Sequence, residues 1–176
     1  MAKDLRIIIA GGRDFTDYDK MKNALDSWKK TKKLSAYNSV TEVCGCAEGA
    51  DDLGRRYAKE NGWNVSEFPA NWELLGKPAG ILRNRDMAAF AQPSNGIEGY
   101  LLAFWNGKSR GTKNMVETAI QYGLKIVIFA TTDEAFDIVF NEYLEAFYKP
   151  LTEIITDPNE AMVDIPKKLD IVVKRI

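Results

Sequence analysis

The sequence predicts an α/β fold: a parallel sheet of about five strands held between two layers of helices. Three observations predict it. Short runs that are apolar at nearly every position, LRIIIA at 5–10 and KIVIFA at 125–130, read as strands buried on both faces. Stretches with helical periodicity alternate with such runs four times before a fifth strand. Glycines or prolines punctuate the strand ends, where the chain must turn.

Taken in order, Leu5 to Ala10 is the first strand and Gly11-Gly12 stops it. Thr16 or Asp17 can cap the next helix, on which Met21, Leu25 and Trp28 recur at i, i+4 and i+7. Lysines at 29, 30, 32 and 33 crowd its C-terminal end, where the helix dipole favours cations. Ser39 to Cys44 is the second strand, and a helix runs from about Ala50 to Asn61 with Gly62 beyond its end. Trp63 to Phe68 is the third strand, ended by Pro69. A polar and aromatic loop, Ala70 to Pro78, leads to a helix around Ile81 to Ala91, and Pro93 to Gly96 is a turn. Gly99 to Trp105 is the fourth strand, Thr112 to Tyr122 a helix closed by Gly123, and Lys125 to Ala130 the fifth strand. Asp133 to Tyr148 then reads as an amphipathic helix with Phe136, Val139, Phe140, Tyr143, Leu144 and Phe147 on one stripe. Leu169 to Val173 has the composition of a short extra strand. The whole is a Rossmann-like three-layer sandwich, with residues 1–130 as the Rossmann-like domain and 131–176 as a C-terminal helix and tail packed on it.

Composition narrows the chemistry. The chain has 176 residues, enough for one well-buried domain, and a net charge of −1. That balance carries no global basic field and argues against nucleic acid as the main partner. There is no histidine. Ser-His-Asp catalysis, Cys-His catalysis and histidine zinc sites are therefore excluded. Cys44 and Cys46 are too few for a zinc site and too close for a comfortable disulfide; they read as small residues at a strand end. No metal is expected. No signal peptide and no apolar run of about 20 residues is found, so a cytoplasmic protein away from membranes is expected. The aromatic stripe after 133 exceeds what a small domain buries, and a homo-oligomer is expected from it.

In open parallel sheets ligands bind beyond the C-terminal ends of the strands. The segments leaving the first four strands are distinctive here: Gly11-Gly12-Arg13-Asp14, then Gly45 to Asp51 (GCAEGAD), then Pro69 to Trp72, then Asn106 to Thr112 (NGKSRGT). Glycines let backbone approach a phosphate and leave amides free to donate. Ser109, Arg110, Gly111 and Thr112 open a helix, whose unpaired N–H groups and dipole favour an anion. Asp14 and Asp51 can accept from ribose hydroxyls or a base amine, although Asp51 and Thr112 can equally be helix caps. Trp72 offers a stacking face, and Arg83 and Asn84 can reach the same edge. Gly45 and Gly49 complete the candidate ligand-binding set. Neither G-x-G-x-x-G nor a P-loop occurs, so no NAD or ATP cofactor is expected.

GGRDF (Gly11 to Phe15), GCAEGAD (Gly45 to Asp51), FPANWELLGKPAGILRNRDM (Phe68 to Met87) and FWNGKSRGTKNMV (Phe104 to Val116), in that order, resemble the YspA-type branch of the SLOG superfamily over about residues 5 to 130. The resemblance implies a strand order 3-2-1-4-5 and a ligand in the crevice between the first and fourth strands. It also implies nucleotides or nucleotide-derived signals as ligands, and a bacterial or phage source. Related members include LOG-type phosphoribohydrolases, which cleave the base from a nucleoside 5′-monophosphate, and DprA-type DNA-binding proteins. The LOG-type motif is similar to P-G-G-x-G-T-x-x-E; here Gly111-Thr112 is kept but Met115 stands where the glutamate would be. If the chain is an enzyme of that kind, a substitute carboxylate could come from Asp14, Glu48, Asp51 or Asp52. The expectation is a protein that binds a nucleotide-like small molecule, with a nucleotide N-glycosidase as the alternative and a single-stranded DNA or protein-interaction module as the third reading.

Overall fold

The computed structural model describes residues 3–141 and 171–176. Its centre is a parallel sheet of six strands: the five of the alternating pattern and the short extra one. In chain order these are β1 (Lys3–Gly11), β2 (Tyr37–Cys44), β3 (Asn64–Glu67), β4 (Ile97–Trp105), β5 (Lys125–Ala130) and β6 (Ile171–Arg175). They lie side by side as β3-β2-β1-β4-β5-β6. The additional strand, expected at Leu169 to Val173, pairs with β5 in parallel through Ile126 with Ile171 and Val127 with Val172.

β1 sits in the middle, and its nearly continuous apolar run reflects two faces to fill. Leu5, Ile7 and Ile9 belong to one buried cluster, and Ile8 and Ala10 to the other. Its neighbour β4 does the same, with Tyr100, Leu102 and Phe104 on the first side and Leu101, Ala103 and Trp105 on the second. Each large side chain buried this way contributes about 1.5–3 kcal/mol relative to exposure. Helices α1 (Tyr18–Lys30) and α2 (Ala50–Glu60) cover the first face. On the other lie α4 (Ala79–Ala91), α5 (Arg110–Gln121) and α6 (Asp133–Phe140), and the one-turn helix α3 (Trp72–Leu75) precedes them in the chain. The predicted stripe of α1 is buried at Met21, Leu25 and Trp28. Asp17, of the two candidates, is its cap and accepts from the Lys20 amide at 2.9 Å.

Several boundaries move, each for a local reason. β3 is shorter than Trp63 to Phe68 because the Trp63 amide is drawn back to the Ala58 carbonyl at the end of α2. The stretch Ala70 to Pro78 is not all loop: the Asn71 side chain accepts from the Leu74 amide and starts α3, which Gly76 ends at φ +59°. α2 is capped by Gly49 at φ +78°, not by Asp51. The helix expected over Asp133 to Tyr148 is described as far as Phe140, capped at its start by Thr132; Tyr143, Leu144 and Phe147 lie outside the described residues.

One strand carries a group that the sequence pattern does not single out. Glu42 on β2 pairs in register with Ile7 and Val65 and is fully buried. Neither of its carboxyl oxygens has a hydrogen-bond partner among the described residues.

Candidate functional site

The C-terminal ends of β1 and β4 point to the same edge, and the segments leaving them diverge to opposite layers. The opening between them is a cleft of about 590 Å³. Its rim is built first by the β1 turn. Gly11 lies so close to β4 that a Cβ there would collide with the Phe104 carbonyl. The next residue ties three elements together: the Gly12 amide donates to the Phe104 carbonyl at 3.2 Å, and the Gly12 carbonyl accepts from Phe15 and Ala50, each at 3.2 Å. The Ala50 bond brings the start of α2 against the turn. It also explains Gly49, whose positive φ is matched by contact: a Cβ there would lie 2.5 Å from the Gly12 and Arg13 carbonyls.

The facing rim is the start of α5. Ser109 is its cap, accepting from the Thr112 amide at 3.3 Å and from the Thr112 hydroxyl at 3.0 Å. Thr112 is therefore the cap's partner and not the cap. Arg110 and Gly111 occupy the first turn, where amides have no intrahelical acceptor, and both line the cleft. Asn106 holds this loop: its Oδ1 accepts from the Lys108 and Ser109 amides at 2.9 Å each, and its Nδ2 donates to Asp14 at 3.3 Å. The two glycine-bearing segments are thus linked by a side-chain hydrogen bond as well as by the sheet.

The wall between them is made by α2 and α4. Asp51 is 4% exposed, and its Oδ2 accepts from the Ala47 amide at 3.3 Å. Burial pushes its carboxyl up to about 6, against the opposing pull of the Arg83 guanidinium and the amides of Ala47 and Gly11. Arg83 Nη1 donates to the Gly45 carbonyl and lies 3.6 Å from Asp51 Oδ2; its Nε donates to Asn84 at 3.1 Å. Gly45 is required behind this pair, since a Cβ would meet Arg83 Nη1 and lie 2.5 Å from Asp51 Oδ2. Asn84 Nδ2 donates to Asn114 Oδ1 at 2.9 Å and to the Gly111 carbonyl at 3.4 Å, joining α4 to the start of α5. The floor is apolar: Met87 and Met115 are each 1% exposed. Over the mouth stands Trp72, 48% exposed, with the Arg13 guanidinium 5.8 Å from its ring.

Of the residues singled out from sequence, Gly11, Gly12, Arg13, Asp14, Asp51, Trp72, Arg83, Asn84 and Ser109 to Thr112 come together on this cleft. Gly45 and Gly49 stand behind its wall, and Glu48 is exposed and does not line it. Asp52 ion-pairs with Arg55 at 2.5 Å on α2 and is not in the lining. The residues singled out from sequence do not include Lys77, Met87 and Asn114, which line the cleft, or Asn106, which braces it. A helical wheel finds part of what is missed. Gly80, Asn84 and Met87 share one face of α4, and Arg110 and Asn114 share one face of α5. Met115, at the position of the LOG-type glutamate, puts a thioether on the floor and no carboxylate.

Cys44 is buried, its thiol pushed up by burial and by Glu42, and its Sγ accepts from the Cys46 amide at 3.3 Å. The pair shapes the turn after β2. Among the described residues no cluster of three or more acidic or cysteine side chains is placed to hold a metal ion, and no helix is long and apolar enough to cross a membrane.

A family model described as YspA, cpYpsA-related SLOG family matches residues 5–74, from β1 through α3. Gene 61 protein of Mycobacterium phage D29 is 34% identical over 129 residues, 70% of this chain and 95% of that relative. No solved structure matches. The alternating strands, the order 3-2-1-4-5 within the sheet, the Gly-Gly turn and these two likenesses agree: the chain belongs to the YspA, cpYpsA-related SLOG family.

Proposed function

We propose that the protein binds a phosphorylated, nucleotide-like small molecule in the cleft between the Gly11-Gly12 turn and the start of α5. One observation carries the reading: a glycine turn and a capped helix N-terminus face one cavity whose lining holds four cations, Arg13, Lys77, Arg83 and Arg110, against two carboxylates, Asp14 and Asp51. First-turn amides, a helix dipole and guanidinium groups together suit an anion carrying more than one charge. The rest of the cavity suits the remainder of a nucleotide. Met87, Met115 and the Trp72 indole offer apolar and stacking faces to a base. Asn114 and Asp14 offer amide and carboxylate groups to its edge or to a ribose. Membership of a SLOG family supports a nucleotide-related role. Met115 in place of a catalytic glutamate favours binding, for sensing, carriage or sequestration, over turnover. Calorimetry with the nucleoside monophosphates, NAD, ADP-ribose and cyclic nucleotides tests this; indifference to every one of them refutes it.

A second reading rests on Asp51. A carboxyl raised to about 6 on the wall of the cleft is partly protonated near neutrality and suits a general acid. As an N-glycosidase, Asp51 would give its proton to the departing base while water adds to the anomeric carbon, and the proton released from that water would restore the acid. Chromatography of an AMP or NAD incubation for free base decides between the two. Base release that disappears in Asp51→Asn supports the enzyme, and none over a day leaves the binder.

A further inference from the structure

We propose that the segment Asn71–Pro78, with α3 at its centre, is a lid that closes over the cleft when a ligand with a planar base is bound. The inference rests on the nucleotide reading and adds a moving part to it.

The segment is at odds with an ordinary surface loop. All eight of its residues are exposed, yet it displays Trp72, Leu74 at 78% exposure and Leu75 at 41%, and Ile81 beside it is 52% exposed. Among the described residues these are the large exposed apolar groups apart from Val172; Trp72 and Ile81 line the cleft, and Leu74 and Leu75 follow Trp72 on the same helical turn. An apolar cluster in that place has something to cover it for part of the time.

Its bonding is what a moving part requires. The backbone hydrogen bonds made by the segment stay local: Trp72 to Ala70, Leu75 to Asn71, Gly76 to Trp72, Ala79 to Gly76 and Leu82 to Pro78. The tie across the mouth is the Arg13–Trp72 contact at 5.8 Å, an exposed cation–π pair worth about 0.5–1 kcal/mol. A single helical turn is not stable by itself, and a segment held by local bonds opens at little free-energy cost. The ends, in contrast, are fixed. Phe68 packs on Phe90 with ring centroids 5.4 Å apart, and Ala79 is 1% exposed. A pivot is present too: Gly76 sits at φ +59°. Gly80, inside α4, leaves the indole room to lie against that helix, since a Cβ there would approach Trp72 Cη2 to 3.0 Å.

Closure would carry Trp72 onto the face of the base and turn Leu74 and Leu75 from water toward the ligand. The test pairs hydrogen exchange with one double variant, using as probes AMP, GMP, CMP, UMP and NAD. Calorimetry on the wild-type protein comes first. If neither these probes nor ADP-ribose and the cyclic nucleotides bind, the nucleotide reading fails and the lid with it. If a probe binds, the amides of 71–78 are expected to become protected in its presence. Leu74→Ser/Leu75→Ser is expected to bind that probe at least about fivefold more weakly with an almost unchanged melting temperature, because both side chains are exposed in the free protein. Binding without protection of 71–78 overturns the lid while sparing the nucleotide reading. So does a double variant that binds as tightly as wild type, or one whose mass by light scattering falls, which would make the patch a contact between copies of the chain.

Discussion

Glu42 shows what a single side chain can do to the pH dependence of the whole. Burial, with lesser repulsion from Asp51 and Glu67, pushes its carboxyl up to about 9, opposed by Arg55 and Lys59. Between the ordinary value of 4.5 and about 9 the folded protein keeps a proton that the unfolded chain releases. Stability therefore falls as pH rises through that window, by at most about 1.4 kcal/mol per unit, and levels off above it. Glu42→Gln removes the titration and keeps the shape. Urea melts should find the variant close to wild type near pH 5 and progressively more stable toward pH 9; a constant difference across that range would show that Glu42 ionises in the folded state. At the cleft, Gly45→Ala is the informative change. The added methyl meets the movable ends of Arg83 and Asp51, not backbone, so the fold should tolerate it while Arg83 leaves its place. Loss of one charge-assisted contact predicts roughly tenfold weaker binding of the ligand found by calorimetry. Unchanged affinity would place Arg83 outside the binding machinery. These residues also mark where sequence reading stops. Arg83, Asn84 and Asp51 stand out in the sequence because they lie beyond strands or near helix starts. Their mutual bonds depend on how α2 and α4 tilt over the sheet, which no local pattern encodes.

At the scale of elements, the start of α5 is held by Asn106, a residue outside the main cleft. Asn106→Ala leaves the Lys108 and Ser109 amides without their acceptor and frees Asp14. A cost of about 1–2 kcal/mol in stability is expected, read as a lower urea midpoint, together with weaker ligand binding despite an intact Ser109 cap. A loss of stability with affinity preserved would mean that the helix start needs no bracing to receive an anion. The strands and helices themselves are legible because each is long enough for its period to speak: β1 and β5 by their nearly continuous apolar runs, α1 by Met21, Leu25 and Trp28. The misses are the short pieces. A one-turn helix such as α3 has no period, and the boundaries of β3 come from a bond back to Ala58.

For the molecule as a whole, ligand binding is a stability measurement. A compound present at 100 times its dissociation constant adds about 2.7 kcal/mol to the folded state, which for a chain of this size raises the melting temperature by roughly 5–10 °C. A thermal scan against the nucleotide panel should therefore single out any ligand that calorimetry finds, and a calorimetric hit that leaves the melting curve unmoved would point to a site formed in the unfolded chain as well. The order of the sheet has its own consequence. β6 comes from the far end of the sequence and seals the flank of β5. A chain shortened by residues 171–176 would present KIVIFA, a ribbon of five uncharged residues behind Lys125, as a bare hydrogen-bonding margin. Such margins recruit one another into fibrils. β6 would then act as a solubility device on this flank, its own margin carrying Lys174 and Arg175.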